Sequence, residues 1–220
     1  MQGPARSLCG AVRRLTSPDI DCAQVGLRER DDNLLRVRSS LEPEGPWLAM
    51  HFAEILLDEE GMDSNCAVLV RTAAGWFGHT LDGMLCANSG SVRVHVGAEL
   101  SLLPIGPDGA KRLLIDISDD SSHSVDGEES HREQLICGEH EGLVACHWMR
   151  TAESFVAGDP ELVIHDRLPP DDWAAEITFL PVDRMRVGEH TPREHAQHKP
   201  PSPGLYDLRF GVGASLTTDR

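Results

Sequence analysis

Residues 133–150 read EQLICGEHEGLVACHWMR, and this stretch decides the fold that the sequence predicts. Its first five and last eight residues are rich in aliphatic and aromatic side chains, as strands are, and a short polar segment with two glycines separates them. With Cys137 opposite Cys146 they form an antiparallel hairpin. The other opposed pairs on that face are then Leu135 with Trp148 and Glu133 with Arg150. A cysteine pair, an aliphatic–aromatic pair and an ion pair are favourable cross-strand partners.

The cysteines of this hairpin predict a disulfide. Opposed residues of antiparallel strands have Cα atoms about 4.5–5.5 Å apart, which a disulfide can span. Two reduced cysteines in or beside the core are the alternative to a Cys137–Cys146 bond. Cys66, near the start of another predicted strand, and Cys86, in the loop after its neighbour, are the second candidate pair.

Further short strands with turn signals follow the same pattern. In 92–97 valines alternate with Arg93, His95 and Gly97, and Pro107-Asp108-Gly109 predicts a turn into the strand at 111–117. The apolar run 47–57 fits a strand better than a helix. Because long helical crossovers are missing, we expect a mainly β fold, an antiparallel β-sandwich or barrel-like domain with little helix. The acidic, serine-rich segment 119–131 is expected to be a solvated loop.

Three regions differ in composition. Residues 1–32 contain Cys9 and Cys22 but no sustained hydrophobic period, which predicts an irregular or partly disordered leader. Residues 33–188 hold the predicted antiparallel β domain. Residues 189–220 are expected to form a polar linker followed by a candidate final strand.

The charge balance of the chain argues against some classes of binding partner. The chain has 220 residues and a formal net charge of −16, with 36 acidic and 20 basic residues. This balance argues against nucleic acid and against an anionic membrane surface, which both need clustered cations. No stretch reaches the roughly 18–20 apolar residues of a spanning helix. A protein or a small molecule remains as the expected ligand, of unknown identity.

The compartment is left open by two opposed signals. Cysteines that pair well are expected in an oxidising compartment, so the cysteine pattern favours an extracytoplasmic protein. The segment 8–12 is too short for the apolar part of a signal peptide, and Arg13-Arg14 interrupts it. If Met1 is the true start, the sequence therefore predicts a cytoplasmic protein.

Two sets of histidines could bind a metal. The first combines His140 and His147 with the hairpin cysteines, but Cys146 and His147 point to opposite faces of a regular strand. The second set is His190, His195 and His198, within the predicted polar linker. Neither set predicts a zinc site as strongly as the cysteines predict a disulfide, and we expect no cofactor.

The sequence does not identify a reaction. It lacks a Gly-x-Ser-x-Gly nucleophile motif, a phosphate-binding loop and a dinucleotide-binding glycine pattern. The favoured interpretation is a non-enzymatic β-rich structural or binding module that belongs to a bacterial envelope or is secreted. The alternative is a metal-assisted hydrolase that uses some of four residues, His140, His147, Asp116 and Asp119.

Overall fold

The computed structural model describes residues 4–16, 21–25, 35–56, 64–86, 92–123, 127–157, 173–190, 201–211 and 216–218. The protein is mainly β, with antiparallel sheets and one short α-helix among these residues, as the sequence predicts. Every described strand pair is antiparallel. Within each sheet the strands lie side by side in chain order, so consecutive strands are spatial neighbours.

Three sheets contain all the described strands. The first consists of β1 (Leu35–Leu41), β2 (Ala49–Leu56), β3 (Ser64–Thr72) and β4 (Gly75–Leu85). The second consists of β5 (Val92–Leu103), β6 (Arg112–His123), β7 (Gly127–His140), β8 (Leu143–Ala157) and β9 (Trp173–Ala174). The third consists of β10 (Ile177–Leu180), β11 (Arg184–Val187), β12 (Gly204–Leu208) and β13 (Leu216–Thr218).

The second sheet is the central layer of the molecule. Side chains alternate between its two faces, so Ile115 and Leu135 face the first sheet while Ile136 faces the third. Phe52 and Val68 of the first sheet pack against the face that carries Ile115 and Leu135. On the other face, a cluster of buried side chains joins the second and third sheets: Ile136, Met149, Met185, Tyr206, Leu208 and Phe210. Apolar burial on both faces explains why the paired segments 113–115 of β6 and 135–137 of β7 are continuous apolar runs.

Two close contacts fix the third sheet on the second. A Cβ added at Gly138 would overlap the ring of Phe210, so glycine is what lets this ring lie directly on β7. Arg112 donates two hydrogen bonds to Asp183, from Nε to Oδ1 and from Nη2 to Oδ2, both 2.7 Å long. The Arg112 guanidinium also lies 4.9 Å from the centre of the Phe210 ring.

The outer face of the first sheet is covered by a helix, α1 (Leu8–Leu15). Ser7 caps it by accepting a hydrogen bond from the Gly10 amide, and Val12 is buried against the sheet with Ala67 and Leu69. Helix α1 lies inside the segment 1–32, for which the sequence predicts irregular structure. The amphipathic pattern of eight residues is short, and helical stability here comes from packing rather than from propensity.

The division of the chain at residue 188 remains a prediction. Strand β12 comes after this point and pairs with β11, which comes before it. Within 189–220 the structure describes two strands, β12 (Gly204–Leu208) and β13 (Leu216–Thr218), which pair with each other. The run 47–57 contains β2, in agreement with the preference for a strand.

The register of the central hairpin is confirmed. Cys137 pairs with Cys146, and the neighbouring same-face pairs are those read from the sequence, Leu135 with Trp148 and Glu133 with Arg150. All three pairs of cysteines lie at disulfide-bonding distance, with Cα–Cα separations of 4.1 Å for 137/146, 5.3 Å for 66/86 and 5.4 Å for 9/22.

Among the described residues, no helix has the length and apolar content needed to cross a membrane.

Candidate functional site

The polar ends of β6, β7 and β8 form the region of greatest chemical interest. The sequence predicts a solvated loop over 119–131, and this prediction is wrong for most of the segment. Strand β6 continues to His123, and β7 begins at Gly127. Main-chain hydrogen bonds of a ladder do not require apolar side chains, so a polar ribbon can continue from the apolar core of the same strands.

One face of this ribbon gathers a histidine and three carboxylates. Asp119 on β6 is opposite His131 on β7, which is in turn opposite Glu153 on β8. Glu129 lies two residues before His131 and so shares its face. One imidazole nitrogen of His131 and one carboxylate oxygen from each of Glu129 and Glu153 lie within 4.8 Å of one another. We call these four residues, Asp119, Glu129, His131 and Glu153, the histidine–carboxylate cluster.

A β-bulge brings Glu153 into this cluster. The pairing of β7 with β8 shifts by one residue between Arg132 and Glu133, so that Arg132 pairs with Ala152 while Glu133 pairs with Arg150. Without that shift, the hairpin register would place Ala152 opposite His131. Bulges are known to redirect side chains next to functional sites.

His131 lies between two carboxylates. Its Nε2 is 3.0 Å from Glu129 Oε1, and its Nδ1 is 3.8 Å from Asp119 Oδ2. Burial lowers the pKa of His131, but the carboxylates of Asp119 and Glu129 outweigh this effect and raise the pKa to about 9. In the absence of a metal ion, His131 is therefore a cation at neutral pH.

Glu153 is 1% exposed and is the most deeply buried member of the cluster. Its Oε2 accepts a hydrogen bond of 3.3 Å from Trp173 Nε1 and lies 4.0 Å from Arg150 Nη1. Its Oε1 has no hydrogen-bond partner among the described residues, and neither has Asp119 Oδ1. A buried carboxylate oxygen without a donor is costly, so this arrangement favours an added cation.

An ion pair borders the cluster. Arg150 Nη2 and Nε lie 2.8 and 3.2 Å from Glu133 Oε1, and Trp148 Nε1 donates to Glu133 Oε2 over 2.8 Å. The Glu133–Arg150 pair expected from the sequence is therefore formed. The pair holds the Arg150 guanidinium beside the Glu153 carboxylate of the cluster.

The charge of His131 predicts how stability depends on pH in the metal-free protein. The folded pKa, about 9, exceeds the ordinary value of 6.5, so the contribution is complete below pH 6.5 and disappears as the pH rises through 9. We expect the free energy of unfolding to fall across this interval by on the order of 3 kcal/mol more in the parent than in His131→Gln.

Denaturant titrations of both proteins between pH 6 and 9.5, with a chelator present, measure this difference. The charged groups facing His131 are Asp119, Glu129, Glu133, Arg150 and Glu153. Burial lowers the pKa of His51 and His147, so these two residues change charge below the interval. Parallel curves for the two proteins would show that folding does not raise the pKa of His131.

A polar groove of about 440 Å³ is lined by side chains of β5, β6, β7 and β8, and Glu129 of the histidine–carboxylate cluster is one of them. His95 pairs with Asp120, Asp120 with Ser130, Ser130 with Ser154, and Ser122 with Glu128, so these side chains share one face. The Ser154 hydroxyl lies 3.2 Å from that of Ser130. The groove therefore presents hydroxyl groups and three carboxylates, those of Asp120, Glu128 and Glu129.

The histidines singled out in the sequence do not converge with the cysteines. His147 is buried on the face opposite Cys146, where its Nε2 lies 2.9 Å from the Arg209 carbonyl and its ring lies 5.2 Å from that of Phe210. His140 is exposed beside the hairpin turn. His190 contacts the Gly188 carbonyl and the Trp173 ring. His195 and His198 lie outside the described residues.

The two aspartates suggested for a hydrolase are also separated. Asp116 accepts a hydrogen bond of 3.2 Å from Gln134 Nε2. Asp119, three residues later on the same strand, faces the other side of the sheet and lies beside His131. Of the four residues suggested for that reaction, only Asp119 belongs to the cluster.

Sequence reasoning missed Glu129, His131 and Glu153. The available signal was the alternation Glu129-x-His131-x-Glu133, which has the period of a strand and leads directly into the hairpin. The serines and acidic residues around it suggested a loop instead. The missing apolar pattern concealed the continuation of the strand.

No protein-family model, curated protein or solved structure matches the chain. The fold and the site thus define the class on structural grounds: an antiparallel β protein of stacked sheets with a mostly buried histidine–carboxylate cluster.

Proposed function

We propose that the protein is a non-enzymatic binding module whose ligand is a basic peptide segment held in the polar groove. The observation that supports this most is the row of hydroxyl and carboxylate side chains on the open face of β5 to β8. Carboxylates accept charge-assisted hydrogen bonds from Lys and Arg, and serine hydroxyls accept or donate beside them. The groove volume, about 440 Å³, is within the range of ligand sites.

The charge of the whole chain supports the same class of ligand. A net charge of −16 attracts cations over a distance and raises their rate of encounter. The groove adds three carboxylates at defined positions, Asp120, Glu128 and Glu129, with Ser130 and Ser154 on neighbouring strands. The negative charge of the whole chain would raise the rate at which a basic peptide meets the protein, and the groove would provide the binding site.

A labelled hexalysine peptide tests this proposal by fluorescence anisotropy. We expect Asp120→Asn/Glu128→Gln to weaken binding by at least about tenfold, since a hydrogen bond to a charged group contributes about 1.5–3 kcal/mol. The control is Glu42→Gln/Asp108→Asn, which removes two exposed charges that do not line the groove, and it is expected to bind as the parent does.

Two outcomes would contradict the proposal. Equal weakening in both double variants would mean that the peptide responds to net charge alone. Undetectable binding to the parent at low salt would exclude a basic peptide as the ligand.

A further inference from the structure

We propose that Glu129, His131 and Glu153 bind one divalent transition-metal ion, with Asp119 as the residue that orients His131. These residues differ from every histidine set that the sequence suggested. Glu129 also lines the groove, whereas His131 and Glu153 do not. The inference rests on the contacts of His131 and Glu153 and does not require the proposed peptide ligand.

The first argument is convergence. Three neighbouring strands each contribute one residue at opposed positions, Asp119, His131 and Glu153, and Glu129 adds a fourth from the same face. The ligand-type atoms of Glu129, His131 and Glu153 lie within 4.8 Å of one another, close enough to reach a single ion after small side-chain rotations. Residues on paired strands are held by the main-chain ladder, which makes such a site rigid.

The second argument is an unsatisfied oxygen. Glu153 is 1% exposed, and its Oε1 has no hydrogen-bond partner among the described residues. Trp173 and Arg150 both approach the other oxygen, Oε2. A protonated His131 alone would explain the positions of Asp119 and Glu129 but would leave this oxygen of Glu153 unpaired. A bound cation would satisfy it.

The ligand types indicate the class of metal. One imidazole nitrogen with carboxylate oxygens suits Zn²⁺ and Mn²⁺, whereas Ca²⁺ and Mg²⁺ prefer oxygen ligands only. The described cysteines are at disulfide distance from one another, so they add no thiolate to the cluster. Two carboxylates and a neutral imidazole also offset the charge of a divalent ion.

The two ring nitrogens of His131 have different neighbours. Nε2 is next to Glu129, at 3.0 Å, and Nδ1 is next to Asp119, at 3.8 Å. Nε2 is therefore the ligand atom, and Nδ1–H is directed at the Asp119 carboxylate. A carboxylate behind a metal-bound histidine fixes the tautomer and the orientation of the ring.

The test uses the full chain, stripped of metal with a chelator and then titrated with Zn²⁺ or Mn²⁺ by calorimetry. Metal content after dialysis gives the stoichiometry. We expect one equivalent of Zn²⁺ or Mn²⁺ and much weaker binding of Ca²⁺ and Mg²⁺. His131→Gln and Glu153→Gln should each lower the affinity by more than about 100-fold, and Asp119→Asn by about 10- to 100-fold.

Two control variants separate this site from the other candidate ligands. His140→Gln removes an exposed histidine at the hairpin end, and His195→Gln/His198→Gln removes two histidines of the predicted linker. Both should bind the ion as the parent does. Circular dichroism checks that each variant is folded, and the imidazole ¹⁵N shifts of His131 in the parent report coordination directly if Glu153→Gln fails to fold.

The proposal is overturned if the parent binds neither Zn²⁺ nor Mn²⁺, or if folded His131→Gln binds them unchanged. It is also overturned if only the linker variant loses binding, because the ion would then be held by His195 and His198. Unshifted His131 resonances at saturating metal would also overturn the proposal.

Discussion

Replacement of Arg112 by alanine is expected to lower the free energy of unfolding by about 3–5 kcal/mol, because it leaves a mostly buried carboxylate without its partner. Arg112 lies on β6, and its two 2.7 Å hydrogen bonds to Asp183 join the second sheet to the turn before β11. The side chains of Arg112 and Asp183 are 10% and 15% exposed, so water can replace little of the lost interaction. The stacking of the guanidinium on Phe210 is lost as well.

The neighbouring residue gives a matched control. Lys111 forms an exposed ion pair of 3.2 Å with Glu44, and Lys111→Ala should cost less than about 1 kcal/mol. Asp183→Asn tests the pair from the other side without straining the turn, where Asp183 has a φ of 50°, a conformation that Asn also tolerates.

Urea denaturation of the parent, the single variants and Arg112→Ala/Asp183→Asn measures the coupling between the two residues. The double variant should be more stable than the sum of the single effects implies. A cost for Arg112→Ala as small as that for Lys111→Ala would mean that the pair contributes little to holding the sheets together.

The second large effect is expected at the central hairpin. Cys137→Ser/Cys146→Ser should lower the free energy of unfolding by about 2–3 kcal/mol, since the cross-link closes a short loop and restricts the unfolded chain. Cys137 is fully buried in the core between the first and second sheets, so burial of a serine hydroxyl there adds to the cost. Urea denaturation of the variant and the parent, without reductant, measures the difference.

A count of free thiols checks the premise. Alkylation of the unfolded, unreduced parent should add no label, because the six cysteines form three pairs at disulfide distance. Reductant should then destabilise the parent while reducing the gap between it and the double variant. Six alkylated thiols would instead show that Cys137 and Cys146 are reduced core residues.

The hairpin could be read from the sequence because its determinants are local. Both strands contain short apolar runs, 135–137 and 143–146, and are joined by a short segment ending in Gly142, whose φ of 79° suits the turn. Only one register places Cys137, Leu135 and Glu133 opposite suitable partners on the same face. A slip by one residue would turn all of them away from the core.

The polar ribbon could not be read in the same way. Residues 119–131 have almost no apolar side chains, so the pattern contains no burial signal for a strand. The strands continue because their backbones are already paired at Leu113, Ile115 and Leu135 in the core, and each further ladder pair requires only the next residue. The groove and the cluster both depend on this continuation.

The sequence by itself determined the mainly β fold and the register that opposes Cys137 to Cys146, because both follow from side-chain alternation and local pairing. The tertiary structure alone decided which carboxylate meets His131. The hairpin register read from the sequence would have put Ala152 there, whereas the bulge beside Arg132 puts Glu153 there. A one-residue insertion in the pairing leaves no mark in the hydrophobic pattern of a polar strand, and this is why the cluster could not be found from the residues alone.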